Sequence, residues 1–251
     1  MSWILDLYRS PMAKKVVMAV TGLMLFGFVV AHMVGNLKLY QGAEKLDAYA
    51  VGLRELGAPV LGYGEAIWIL RLGLIAAIAL HILSAYQLTM INRRARKGTY
   101  RKTRHQESTY ASRTMRWGGV IIILFVVYHL LHFTTGHVHP DFVYGEVFNN
   151  VVIGFQNPIV AGFYILANLA LGLHLFHGLW SMFQTLGWNG PRFNPARKAF
   201  AVAFALLITS VNISFPVAVM TGAVAQEEAK TAAILVTSGD VPSPDQQPSH
   251  D

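Results

Sequence analysis

With 251 residues, no cysteine, 54% hydrophobic and only 13% charged residues, the chain is too apolar for an ordinary soluble domain. It can hold no disulfide, no thiol nucleophile, no thioether-attached haem and no cysteine-bound iron–sulfur cluster. The formal charge of +7 would suit a nucleic-acid partner, but the basic residues gather at the ends of apolar runs, where they mark cytoplasmic loops of a membrane protein, so nucleic acid is rejected.

Residues 1–15 place Trp3, Tyr8, Arg9, Lys14 and Lys15 ahead of the first apolar run, a basic and interfacial lead-in that puts the N-terminus in the cytoplasm. That run is longer than a signal-peptide core and lacks a convincing cleavage site, so it reads as span one, about residues 16–37. A loop of mixed charge runs to Glu65. Span two, about 66–91, ends at NRRARKGTYRKTRHQ, the most basic stretch, which fixes the orientation. Span three, about 117–135, leads outward to a loop from His137 to Asn157 that contains no Lys or Arg. Span four, about 158–185, starts after Asn157-Pro158 and returns to the basic GWNGPRFNPARK. Span five, about 199–220, carries Asn212 and Pro216. The expected fold is an all-α integral membrane protein, a five-transmembrane-helix bundle over residues 1–222 with its N-terminus cytoplasmic and its C-terminus on the outer side. Residues 223–251 are read as a polar, net acidic, mobile tail.

Four of these spans carry histidine: His32, His81, His129 with His132, and His174 with His177. An ionisable group in hydrocarbon costs a few kcal/mol or more, so each needs a protein partner, a cavity or a bound ion. Neutral imidazole ligates iron well, and helix bundles hold haem by side chains projecting from facing helices. Counted from the inner boundary at about 1.5 Å per residue, His32 lies at about 24 Å, His129 at about 18 Å, His174 at about 16 Å and His81 at about 15 Å. The depths pair His32 with His129 on an outer haem and His81 with His174 on an inner one. His132 and His177 share a helix face with His129 and His174, so spacing alone leaves them as alternates. Arg113 and Arg116 suit the propionates of the inner haem and Arg71 those of the outer one. His105, His137, His139 and His250 lie outside the spans and read as solvated, with His137 and His139 as candidates for an outer quinone pocket.

KKVVMAVTGLMLFGFVVAHMVGN, TYASRTMRWGGVIIILFVVYHLLHFT and NPIVAGFYILANLALGLHLFHGLWSMFQTLG closely resemble the cytochrome b membrane-anchor subunit of bacterial succinate dehydrogenases and fumarate reductases, the single-chain, five-helix, two-haem type. The resemblance covers roughly residues 10–222. It implies that the dicarboxylate site lies in a flavoprotein partner carrying FAD, and that an iron–sulfur subunit relays electrons to two haem b in this chain and then to a quinone, with menaquinone expected. The partners would dock on the cytoplasmic face of a bacterial cytoplasmic membrane. The family's axial histidines fall on His32, His81, His129 and His174, the GLW after His177 setting the register in span four. Relatives with a transmembrane proton path carry an acidic residue where this chain has Gly172, which puts that path in doubt here. In the same group an acidic residue between spans one and two serves the outer quinone, and Glu55 is the nearest candidate.

The leading expectation is therefore electron transfer from succinate oxidation to quinone. The competing readings are a haem-free structural anchor, a cytochrome b anchor for another respiratory dehydrogenase, and a transporter. The last lacks the broken helices and acidic partners expected of it.

Overall fold

A computed structural model describes residues 10–95 and 110–226, with side chains described from Met115 onward in the second of these segments. Seven α-helices follow in order: α1 (Pro11–Asn36), α2 (Ala43–Arg54), α3 (Glu65–Ala95), α4 (Tyr110–Phe133), α5 (Val147–Gln156), α6 (Pro158–Thr185) and α7 (Asn194–Met220), with a 3-10 turn at Leu37–Gln41 after α1. Among the described residues there is no strand, and five helices (α1, α3, α4, α6 and α7) are long and apolar enough to cross a membrane.

The helix starts follow local chemistry. Ser10 accepts a hydrogen bond from the Ala13 amide with Pro11 in the first turn, and Asn157 Oδ1 accepts from the Ile159 and Val160 amides ahead of Pro158. In both, a short polar side chain satisfies amides that have no intrahelical acceptor, and proline fills a position whose missing N–H costs nothing. These caps start α1 five residues before the apolar run that defines span one.

Two helices fall where the sequence reading expected loops. α2 and α5 lie between the membrane helices at one end of the bundle, here termed the connector end. α5 starts against α2, because Asp47 Oδ1 accepts the Phe148 amide at 3.0 Å, which places a carboxylate at a helix N-terminus. α5 then buries Phe148, Val152 and Phe155 against Leu46, Tyr164, Phe215 and Val219, so a dry core caps the ends of α6 and α7. The opposite end carries Lys14, Arg93, Arg94, Arg116, Arg192, Arg197 and Lys198 and is termed the basic end. There Arg197, 6% exposed, donates to the Trp188 carbonyl at 2.9 Å and lies 4.0 Å over the Trp180 ring, pinning the α6–α7 turn.

The long helices pack in a particular way. α3 lies along α1, with Ala77, Ser84 and Leu88 buried at helical spacing, while α6 packs along both α4 and α7. Gly172 lets α6 approach α7 closely, where it meets the Thr209 side chain. Pro216 sits inside α7, and its ring removes an amide from the helical ladder. Nearby, Asn212 Nδ2 donates to the Ile208 carbonyl at 2.8 Å, and the Ser214 hydroxyl donates to Val211 at 2.7 Å and accepts from Tyr40 at 2.6 Å. Large apolar side chains such as Leu72, Ile75, Leu124, Leu166 and Leu206 stay exposed on the outside of the bundle, a surface suited to hydrocarbon.

Candidate functional site

The space between the α1–α3 pair and the α4–α6 pair is where the membrane histidines meet. The His32 and His129 ring centroids are 5.9 Å apart, and those of His81 and His174 are 6.3 Å apart. Each pair thus joins one imidazole from α1 or α3 to one from α4 or α6. Close to the rings the backbone carries no side chain: a methyl group on Gly22 would stand 3.3 Å from His81 Cε1, and one on Gly119 would stand 4.0 Å from His174 Cε1.

The two pairs lie at different heights. Thr21 on α1 touches His81, and Gly119 on α4 faces His174, whereas His32 and His129 lie further along the same two helices. At about 1.5 Å per residue the levels are about 15 Å apart, the pair at His32 being nearer the connector end.

Hydrogen bonds reach Nδ1 of two of the rings and select the free nitrogen of one. Thr21 Oγ1 donates its single proton back to the Val17 carbonyl at 2.7 Å, so towards His81 Nδ1, 3.2 Å away, it acts as an acceptor. His81 Nδ1 therefore carries the hydrogen, and Nε2 presents a lone pair. His129 Nδ1 lies 3.3 Å from the Tyr164 hydroxyl, which can either donate to it or accept from it. His174 Nδ1 is buried and has no hydrogen-bond partner among the described residues.

The alternates point elsewhere. His132, 1% exposed, lies with its ring 4.1 Å from Phe133 and 4.9 Å from His139, and its Cε1 sits against Gly154 of α5, where a methyl group would stand 2.8 Å away. It belongs to the connector-end core rather than to the space shared with His32. His177 is partly buried on α6, and the α6 imidazole that faces His81 is His174. His139, read from sequence as solvated, is 6% exposed. Its Nδ1 accepts the Asp141 amide at 3.2 Å and its Nε2 donates to the Asn150 carbonyl at 2.9 Å, because α5 folds back over the loop in which it sits. His105 and His250 lie outside the described residues.

Arg71 is exposed on α3, 5.0 Å from the Trp68 ring, and lies about 15 Å along the helix from His81, level with His32 and His129. Arg116 is exposed on α4, one turn from Gly119 towards the basic end. Arg113 lies in α4, its side chain outside the described set. Glu55 follows α2 and is exposed; its neighbour Arg54 lies 5.6 Å over the Tyr144 ring, so the end of α2 meets the loop that carries His137. His137 itself is exposed, 2.8 Å from Thr135 Oγ1. The Tyr164 and Thr21 hydroxyls escaped the sequence reading. Each is an ordinary helical residue in a single sequence, and only the fold shows which histidine it faces.

The donor set has a clear chemical meaning. A metal held between two opposed imidazoles at roughly 2 Å each leaves the ring centres roughly 6 Å apart, which matches both pairs. Among the described residues no third His, Cys, Asp or Glu joins either pair to complete a metal-binding group. A bare zinc ion is ordinarily held by three or four protein ligands, whereas an iron that brings four nitrogens of its own needs two more. The residues present therefore fit haem.

Residues 90–213 match the family model described as the succinate dehydrogenase/fumarate reductase transmembrane subunit. The match runs from the end of α3 through most of α7 and includes His129 and His174. It supports a multi-pass membrane subunit of a complex of that kind. No curated protein and no solved structure matches the chain.

Proposed function

We propose that this chain is the haem-bearing membrane anchor of a succinate:quinone oxidoreductase, with His32 and His129 holding one haem b and His81 and His174 the other. The observation that carries the reading is the two neighbouring histidine pairs, each at the ring spacing of a two-imidazole metal site and each without a third ligand among the described residues.

Each haem, when bound, supplies a reversible one-electron carrier. The chain supplies the rest. Thr21 and Tyr164 orient His81 and His129, Gly22 and Gly119 keep the space beside the rings clear, and the apolar bundle excludes water. Arg116 and Arg113 towards the basic end and Arg71 at the level of the other pair neutralise the propionates. The basic end faces the cytoplasm and receives the flavoprotein with its FAD and the iron–sulfur subunit, in keeping with the excess of Lys and Arg there. Quinone, with menaquinone expected, reacts at the connector end near Glu55 and His137, where the pair nearer that face delivers electrons. The membrane is the bacterial cytoplasmic membrane.

The test is a dithionite-reduced minus oxidised spectrum with pyridine haemochrome quantification on the purified chain. Two b-type haems per chain are expected. A folded, partner-bound chain without haem would overturn the reading and leave a structural anchor.

A further inference from the structure

Tyr164 is 4% exposed, and its hydroxyl stands between two histidine side chains, 3.3 Å from His129 Nδ1 and 3.1 Å from His132 Nδ1. A phenol has one proton to donate. It can therefore serve one of these nitrogens as donor and must serve the other as acceptor.

The direction follows from His129. When its Nε2 holds a metal, the remaining hydrogen of the neutral ring resides on Nδ1, and that N–H donates to the Tyr164 oxygen. The Tyr164 O–H is then committed to His132 Nδ1, so His132 is an acceptor there and keeps its own hydrogen on Nε2. His132 cannot easily turn away. Its ring is stacked on Tyr128 at 5.4 Å, held between Phe133 and His139, and backed by Gly154. His139 is itself fixed by Asp141 and Asn150.

We propose that Tyr164 and His132 form a directed hydrogen-bond chain from His129 Nδ1 that makes Tyr164 a positioning residue tuning the metal at the connector-end pair, with His132 acting through it. The inference rests on the haem reading above. An O–H that donates onward polarises its own oxygen, so Tyr164 becomes a stronger acceptor for the His129 N–H, and a more electron-rich imidazole favours the oxidised metal. The two pairs differ in this respect. The partner of His81 is Thr21, whose proton goes to a backbone carbonyl, and His174 Nδ1 has no partner among the described residues.

The experiment is a potentiometric titration, followed by haem absorbance, of the full-length chain with its partner subunits. It compares the unsubstituted chain, Tyr164→Phe and His132→Phe, with the signal lost in His32→Ala used to assign the connector-end haem. In Tyr164→Phe the potential of that haem is expected to rise while the other stays fixed. In His132→Phe, which keeps an aromatic ring but removes the terminal acceptor, the same haem is expected to rise by a smaller amount. Loss of packing alone would reduce haem retention without moving the potential of the haem that remains. An unchanged potential in both variants overturns the proposal. If Tyr164→Phe releases the haem outright, His132→Phe decides, a rise supporting the chain and no shift overturning it. A haemochrome count of zero in the unsubstituted complex would overturn the haem reading itself, and is seen before any titration begins.

Discussion

The Thr21 hydroxyl lies 3.2 Å from His81 Nδ1 and at the same time donates to the Val17 carbonyl one helical turn away, so a single side chain on α1 dictates which nitrogen of an α3 imidazole is free. The contact joins two helices at the level of the basic-end pair, in a position that is 4% exposed. Thr21→Val keeps the shape and removes the hydroxyl that faces His81 Nδ1. Loss of such an outer partner typically weakens a metal site by roughly 10–100-fold, and that is the expected fall in haem affinity at this site alone. Thr21→Ser should retain it. Haem release into an apo-globin acceptor, followed by absorbance, measures both.

The ring pairings make a sharper prediction. His32→Ala and His129→Ala are each expected to remove one haem, and His81→Ala and His174→Ala the other, read as a fall from two haems to one in the haemochrome count. His177→Ala should keep both, because His174 is the α6 ring that faces His81. A chain that kept two haems without His174 and lost one without His177 would place the ligand one turn further along α6.

Much of this arrangement was legible in the sequence. The five long helices follow from apolar run length, while depth counted along each run brought His32 near the α4 histidines and His81 near the α6 histidines without choosing within either couple. Choosing His129 over His132 was beyond spacing, since the two share a helix face. The structure sets His132 against Gly154 of α5, a helix that the sequence reading took for loop, and His129 beside His32. α2 and α5 escaped notice because they are short, amphipathic segments among turn residues, and their burial depends on the ends of α6 and α7. His139 was misread for the same reason: it is buried only because α5 folds over it.

At Gly172 the backbone of α6 is pressed against Thr209. Gly172→Ala gains roughly 1 kcal/mol of helix propensity but forces Thr209 aside, and overpacking of this kind costs about 1–3 kcal/mol. The net expectation is a destabilised chain with a lower thermal midpoint in detergent. Thr209→Ala in the same chain should restore most of the loss, a coupling that a double-mutant cycle measures directly.

Asn150 holds the loop before α5 by both ends of its amide, donating to the Val143 carbonyl at 2.7 Å and accepting the Val143 amide at 3.0 Å. Its own backbone carbonyl receives His139 Nε2. Asn150→Ala removes both bonds, but the Val143 carbonyl keeps the Glu146 amide at 3.3 Å and Val143 is exposed, so the cost is that of lost hydrogen bonds, about 0.5–1.5 kcal/mol each. Faster amide hydrogen exchange at Val143 and in the first turn of α5 is the expected signature, with exchange in the middle of α6 unaltered.

The height difference between the two histidine pairs also has an electrical meaning. About 15 Å is half of a hydrocarbon core about 30 Å thick. A full crossing by one elementary charge is worth about 2.3 kcal/mol per 100 mV, so a charge passed between the two levels meets about half of that, ~1.2 kcal/mol. On the proposed two-haem reading, the distance along α1 from Thr21 to His32 makes the chain a voltage divider. Its turnover should speed or slow with the polarisation of the membrane, according to the direction in which charge is driven through it.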